Sequence, residues 1–291
     1  MTTSSEIAET IVVTGASTGM GAATARELAS RGYHVLAGVR RQADGQALES
    51  ARIRPVILDI TRPEQVAELV RTVEADGRPL RAVVNNAGIA VNAPVEVLPM
   101  AEWRRQFDVN FFGHVEVTQA LLPALLRSRG RVVMMSSLGG RLAQPTYGAY
   151  SGSKFALEAV SDALRRELAP HGVTVAIVEP GAVRTEMVGR GGVTARRLVD
   201  GMTAEQEQRY AGLMDAILAQ SETFLRGGVE SAQAAKTIAD AATTRRPRTR
   251  YTIGRDAALL TRLARILPDR VLDRLLSSAL SKNAPAAPTA H

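Results

Sequence analysis

Tyr150 and Lys154 stand four residues apart in Tyr-Ser-Gly-Ser-Lys, a spacing that puts a phenol and an ammonium on one face of a helix. A free tyrosine titrates near about pH 10, and a neighbouring ammonium favours its phenolate and lowers that value. The pair therefore predicts a proton donor or acceptor usable near neutrality. Ser137 lies thirteen residues before Tyr150 at the end of an apolar run, where its hydroxyl can bond a carbonyl oxygen beside the phenol. Asn110, in Asp108-Val109-Asn110-Phe111-Phe112-Gly113, is an amide inside an apolar helical stretch. It reads equally well as a satisfied core group or as a residue holding a water behind the lysine. A Tyr/Lys pair alone fits an ordinary surface contact, so its company must decide.

That company handles phosphate. Thr14-Gly15-Ala16-Ser17-Thr18-Gly19-Met20-Gly21 joins an apolar strand to a helix. Gly15, Gly19 and Gly21 let the backbone approach a pyrophosphate, with Ser17, Thr18 and Met20 filling the turn, and the helix N-terminus offers free N–H groups. Arg40 and Arg41 follow the second strand, where an acidic side chain would bond the ribose diol of NAD. Two guanidiniums there suit the 2′-phosphate of NADP instead. Asp59, with Ile60 after it, ends the third strand, where a carboxylate can accept from an adenine amino group. Asn86, Ala87 and Gly88 follow the fourth and can line a ribose site. Pro180-Gly181-Ala182-Val183-Arg184-Thr185 follows the sixth, predicting outward N–H groups and a Thr185 hydroxyl for a carboxamide. Each taken singly is ordinary turn chemistry.

The elements that must position these groups are legible as short β-branched runs alternating with helical patterns. Strands are expected at Ile11–Val13, Val35–Ala37, Val56–Leu58, Ala82–Val84, Arg131–Met135, Val173–Val178 and Tyr251–Ile253. Their runs are continuously apolar, the mark of a parallel sheet covered on both faces. A helix is expected from about Gly21 to Arg31, and another after Thr61, an N-cap candidate with Pro63 just inside. The fold class is therefore α/β: a doubly wound Rossmann-like domain with a seven-stranded parallel sheet and an added C-terminal helical segment. One domain covers residues 1–281. Its segment 185–225 is expected as a substrate lid, mobile over the glycine-rich 189–202, and 255–281 as amphipathic helices broken at Pro268. Residues 282–291 read as a disordered tail.

The 291 residues include no cysteine, which excludes disulfides and thiolate chemistry, and the four histidines show no ligand spacing, so no metal is assigned. No leader pattern or long apolar run appears, and a cytoplasmic location is expected. The net charge is +7, and residues 182–291 supply +6 of it with 17 basic and 11 acidic side chains. Without zinc-finger or basic-zipper spacing, nucleic-acid binding is not expected. Leu259, Leu260, Leu263, Ile266 and Leu267 share a face beside Arg255, Arg262 and Arg265. That helix fits peripheral membrane contact, a cover over the site, or packing in a homo-oligomer, a dimer or tetramer.

The constellation resembles the short-chain dehydrogenase/reductase family over about residues 8–187. The resemblance rests on Thr14-Gly15-x-x-x-Gly19-x-Gly21, Asn85-Asn86-Ala87-Gly88, Asn110, Ser137, Tyr150-x-x-x-Lys154 and Pro180-Gly181-x-Val183-x-Thr185. It implies a tetrad of Asn110, Ser137, Tyr150 and Lys154, in which Tyr150 exchanges the proton, Ser137 orients the carbonyl, Lys154 binds the nicotinamide ribose and Asn110 holds a relay water. Tyr150 through Glu158, with Ser161-Asp162-Ala163-Leu164-Arg165, looks most like the branch acting on steroids and retinoids. The expected activity is NADP(H)-linked oxidoreduction of an apolar carbonyl or secondary alcohol. A 3-oxoacyl-type reductase and a non-catalytic NADP sensor are the alternatives.

Overall fold

The computed structural model describes residues 9–281. β1 (Thr10–Val13) leads into α1 (Gly19–Ser30), β2 (His34–Val39) into α2 (Gln42–Gln46), and β3 (Ile53–Ile57) into α3 (Pro63–Asp76). β4 (Leu80–Asn85) is followed by α4 (Met100–Phe107), a π turn over Asp108–Phe112, and α5 (Gly113–Ser128). β5 (Arg131–Met135), α6 (Gly148–Leu168) and β6 (Thr174–Pro180) come next. α7 (Glu186–Asp200), α8 (Ala204–Gly227) and α9 (Ser231–Thr243) precede β7 (Arg250–Ile253), and α10 (Arg255–Ile266) and α11 (Asp269–Ser281) follow it.

The seven strands form one parallel sheet in the order β3-β2-β1-β4-β5-β6-β7. Alternate residues face opposite cores, which is why the strands carry unbroken apolar runs. Ile11, Val13, Val35, Ala37, Val84 and Val133 pack with Leu28 of α1 and Ile238 of α9. Val12, Leu36, Val83, Val132 and Met134 pack with Leu69, Leu121, Leu125 and Leu157 of α3, α5 and α6. The chain reverses its winding at β1: β2 and β3 lie to one side, β4 to β7 to the other. That reversal opens a crevice beyond the carboxyl ends of β1 and β4.

Three local expectations are corrected. β3 starts three residues earlier than its apolar run, because it is an edge strand and tolerates Pro55 there. The N-cap of α3 is Arg62, not Thr61; the Thr61 hydroxyl instead donates to Asp59 Oδ1 at 2.7 Å. Residues 189–200 lie within the helix α7 and are not a mobile loop. Gly191 gives α7 its place: a Cβ there would sit 2.5 Å from the Ala90 carbonyl oxygen, so only glycine lets the helix rest on the loop after β4. The tail expected at 282–291 lies outside the described residues. Among the described residues, no helix is long and apolar enough to cross a membrane.

Candidate active site

Three elements at the carboxyl end of the sheet bring the expected reacting groups together. Ser137 follows β5 and caps a short 3-10 turn, its Oγ accepting from the Gly139 N–H at 3.0 Å. Tyr150 sits in the first turn of α6 with its hydroxyl toward Ser137. Lys154, one turn on, is buried, and its Nζ donates to the Met135 carbonyl at 2.8 Å. Asn110 lies in the π turn, the kind of helix irregularity that gathers at functional sites. Its Nδ2 donates to the Ile89 carbonyl at 2.9 Å and to Ser153 Oγ at 3.2 Å, and its Oδ1 accepts from the Ile89 N–H at 2.9 Å. Both amide protons are thus taken. The side chain ties the loop after β4 to α6, and it is the satisfied core group that the structure displays.

The proton chemistry differs from the expectation in sign. Burial pushes the Tyr150 phenol above its ordinary range, opposed by the Ser137 hydroxyl. Burial lowers the Lys154 ammonium to about 8, opposed by the carboxylate of Glu158. Nζ points at the Met135 carbonyl, and desolvation works against both charged forms, so the ammonium does not depress the phenol here.

The phosphate-handling residues line the crevice at the winding reversal. Gly15 adopts φ +63°, and a Cβ there would lie 2.7 Å from Ala87 Cα. Thr14 Oγ1 accepts from the Asn86 and Ala87 N–H groups at 2.9 and 3.0 Å, and Asn86 Nδ2 donates to the Thr14 and Gly15 carbonyls at 2.9 and 3.1 Å. These bonds lock the loop after β1 to the loop after β4, with Gly88 beyond. Thr18 is the N-cap of α1 and its side chain makes no capping bond, so Ser17, Gly19, Met20 and Gly21 stand at a helix N-terminus that its own N-cap does not satisfy, with Thr185 and Glu186 close to Gly19. The cradle fits an anionic, flat-backed group such as a dinucleotide pyrophosphate.

The two arginines separate. Arg41 Nε and Nη2 donate to Asp44 at 2.9 and 2.8 Å, whereas Arg40 is exposed and forms no close ion pair among the described residues. Asp59 Oδ1 accepts from Thr61 N–H at 3.0 Å as well as from its hydroxyl, which is turn chemistry. The Ile60 side chain is core, packed beneath Gly113. After β6, Gly181 N–H donates to the Ile253 carbonyl at 2.9 Å, so it does not point outward as expected. Val183 is buried beside Val229, and Thr185 caps α7 and faces the cavity.

That cavity, about 220 Å³, opens beside Tyr150. Ser137, Tyr150, Lys154, Pro180 and Thr185 are in its lining. Its walls are mostly apolar: Leu138 and Leu142 from the turn after β5, Met187 and Ala195 from α7, Met214, Ile217 and Leu218 from α8. α10 adds Leu260 to the lining, while Leu259 and Ile266 remain exposed. Among the described residues, no group of three His, Asp or Glu side chains is placed to hold a metal ion.

Residues 9–192 match the family model for short chain dehydrogenases. The chain belongs to that family. Among curated relatives, it is 37% identical to retinol dehydrogenase 5 of Mus musculus, over 94% of this chain and 89% of that protein. It is 31% identical to the NADPH-dependent 3-dehydrocapnine reductase of Ornithobacterium rhinotracheale, over 93% and 97%. A solved short chain dehydrogenase from Burkholderia cenocepacia J2315, in complex with NADP, superposes with a TM-score of 0.71 at 26% identity, covering 92% of this chain and 97% of that one. The protein is thus an oxidoreductase of the short-chain dehydrogenase family, on its retinol dehydrogenase-like branch.

Within this dehydrogenase, some site residues had no signal in the sequence. Asp44 lies three residues past Arg41 on the five-residue α2, too short for periodicity to show. Gln144, Tyr147 and Ser221 add polar groups to the apolar cavity, and Tyr147 opens α6 three residues before Tyr150, their rings 6.2 Å apart. Gly191 was visible only as a loop-former. Replacing Gly191 with Val is expected to push α7 off Ala90 and open the cavity, raising KM for an apolar substrate about tenfold with little change in cofactor KM. Steady-state kinetics varying each substrate in turn check this.

Proposed function

We propose that the protein is an NADP(H)-dependent oxidoreductase interconverting the carbonyl and secondary alcohol of an apolar, steroid-, retinoid- or lipid-like substrate. The observation that carries this reading is that Ser137, Tyr150 and Lys154 line one mostly apolar cavity. The cradle of Gly15, Gly19 and Gly21 would hold the pyrophosphate, Arg40 the 2′-phosphate, Lys154 the nicotinamide ribose, and Thr185 with the Val183 main chain the carboxamide. When bound, NADPH supplies the hydride.

The protein's own groups do the rest. Ser137 donates to the substrate carbonyl oxygen and fixes it beside Tyr150. Tyr150 delivers its proton to that oxygen as charge develops there, and its raised pKa keeps the phenol protonated for this step at neutral pH. α7, α8 and Leu260 act as the lid, excluding water and setting specificity. Asn110 keeps the loop after β4 against α6 and so positions Lys154.

The test is a panel of carbonyl compounds matched for reactivity but graded in apolar surface, assayed by NADPH oxidation. kcat/KM is expected to rise by about a factor of ten for every 1.4 kcal/mol of added apolar burial, or roughly every two buried CH₂ groups. A preference for small polar carbonyls would contradict the substrate reading. Turnover of thioester-linked 3-oxo substrates above all others would favour the acyl-type alternative.

A further inference from the structure

The apolar cavity carries polar groups that the carbonyl chemistry leaves idle. Gln144 and Tyr147 come from the turn that enters α6, and Ser221 comes from α8. The Tyr147 and Tyr150 rings stand 6.2 Å apart at 79° to each other. Their hydroxyls nevertheless face different partners: that of Tyr150 faces Ser137, and that of Tyr147 faces Ser221. Ser221 Oγ gives its own proton to the Ile217 carbonyl at 2.9 Å, so its oxygen accepts from Tyr147. The Tyr147 oxygen keeps its capacity to accept. The Gln144 amide, with donors and an acceptor, forms no side-chain hydrogen bond among the described residues.

Backbone strain holds these groups in place. Thr146, between Gln144 and Tyr147, is buried and adopts φ +69°, a region that a β-branched residue rarely enters. Its carbonyl accepts from the Ala93 N–H at 3.0 Å, which bolts the turn to the loop after β4. The Tyr147 N–H closes the turn on the Gln144 carbonyl at 3.1 Å. Strain of this kind persists only where the surrounding structure enforces it, and it collects at ligand clamps. The surroundings also fix the kind of group that fits. Apart from Lys154, no charged side chain lines the cavity among the described residues. A carboxylate or ammonium beside Tyr147 would be buried without a partner. The Tyr147 phenol itself stays neutral, because burial pushes it above its ordinary range.

We infer that Gln144 and Tyr147, backed by Ser221, form a second recognition point that binds an uncharged oxygen group of the substrate, a hydroxyl or a keto group, several bonds away from the carbonyl that reacts. The inference rests on the proposed reduction at Tyr150 and narrows its substrate class from apolar carbonyl compounds to apolar carbonyl compounds with a second oxygen. Gln144 and Tyr147 set specificity and take no part in proton transfer. A substrate without the second oxygen leaves their polar atoms unpaired in an apolar cavity, which is what makes such a site selective. The contact is made equally in the ground and transition states, so it acts on KM and not on kcat.

The probes are 2-decalone and the set of its monohydroxy derivatives, reduced with NADPH. Wild-type protein is expected to prefer at least one hydroxydecalone over 2-decalone by about tenfold in kcat/KM, through KM, as one or two net hydrogen bonds allow. That ratio shrinks in Tyr147→Phe and in Gln144→Leu, and falls to about one in the double variant. Binding is read apart from turnover by the fluorescence of Trp103, the chain's one tryptophan. Its ring lies 3.3 Å from where a Cβ on Gly148 would stand, next to Tyr147. No preference for any hydroxydecalone overturns the inference, and so does a preference that both single variants retain. If Gln144→Leu does not fold, Tyr147→Phe decides, because it removes one oxygen and keeps the ring. Selective binding of a hydroxydecalone with no turnover of any decalone overturns the reaction reading and keeps the recognition point; turnover without selectivity does the reverse.

Discussion

Replacing Tyr150 by Phe is expected to lower kcat about a hundred- to ten-thousand-fold while NADPH still binds. The ring stays, so its packing near Ser137 and its 6.2 Å edge contact with Tyr147 are kept. What goes is the hydroxyl that faces Ser137, the proposed proton donor. A transition-state-only loss lowers kcat and kcat/KM together, and that pattern separates the proton donor from a mere wall of the cavity. Fluorescence titration with NADPH, alongside steady-state rates, provides both readouts. An unchanged rate would remove Tyr150 from the chemistry.

The second large effect concerns Arg40. Arg40→Ala is expected to raise KM for NADPH about ten- to a hundredfold and to leave KM for NADH nearly unchanged, because only NADPH carries the 2′-phosphate. The magnitude follows from a charge-assisted hydrogen bond worth about 1.5–3 kcal/mol. Arg41→Ala is expected to have a smaller effect, since Asp44 already holds that guanidinium through two hydrogen bonds. Asp44→Asn then tightens NADPH by freeing Arg41 and removing a carboxylate from beside the phosphate. The discrimination weakens with added salt, because these groups are exposed. Equal losses for both cofactors in Arg40→Ala would contradict a phosphate contact.

Much of this architecture could be read from residue order alone. The β-branched runs at Ile11–Val13 and Arg131–Met135 fall in β1 and β5, and the glycine-punctuated Thr14–Gly21 joins β1 to α1. Residue types at strand ends showed where chemistry belongs, because a parallel sheet puts every such end on one side. Partners were less legible. Nothing about Asn110 told that Ile89 and Ser153 would take its amide protons. Helical residues at 189–200 were hidden by Gly189, Gly191 and Gly192, whose low propensity is overridden by packing against Ala90 and around the cavity. The direction of the Tyr150 shift depends on burial, which spacing does not encode. The buried ion pairs of Arg141 and Arg250 with Glu158 and Glu179 are invisible for a similar reason: the four residues meet only when the turn after β5, α6, β6 and β7 assemble.

The central claim is that this apolar cavity reduces a carbonyl with hydride from NADPH and a proton from Tyr150. It is tested most directly with NADPH deuterated at the transferring position of C4 and an apolar ketone, the alcohol product being analysed by mass spectrometry. The account predicts one deuterium on the former carbonyl carbon with wild-type protein, and almost no product with Tyr150→Phe. Alcohol without deuterium, or labelled alcohol formed equally fast by Tyr150→Phe, would contradict it.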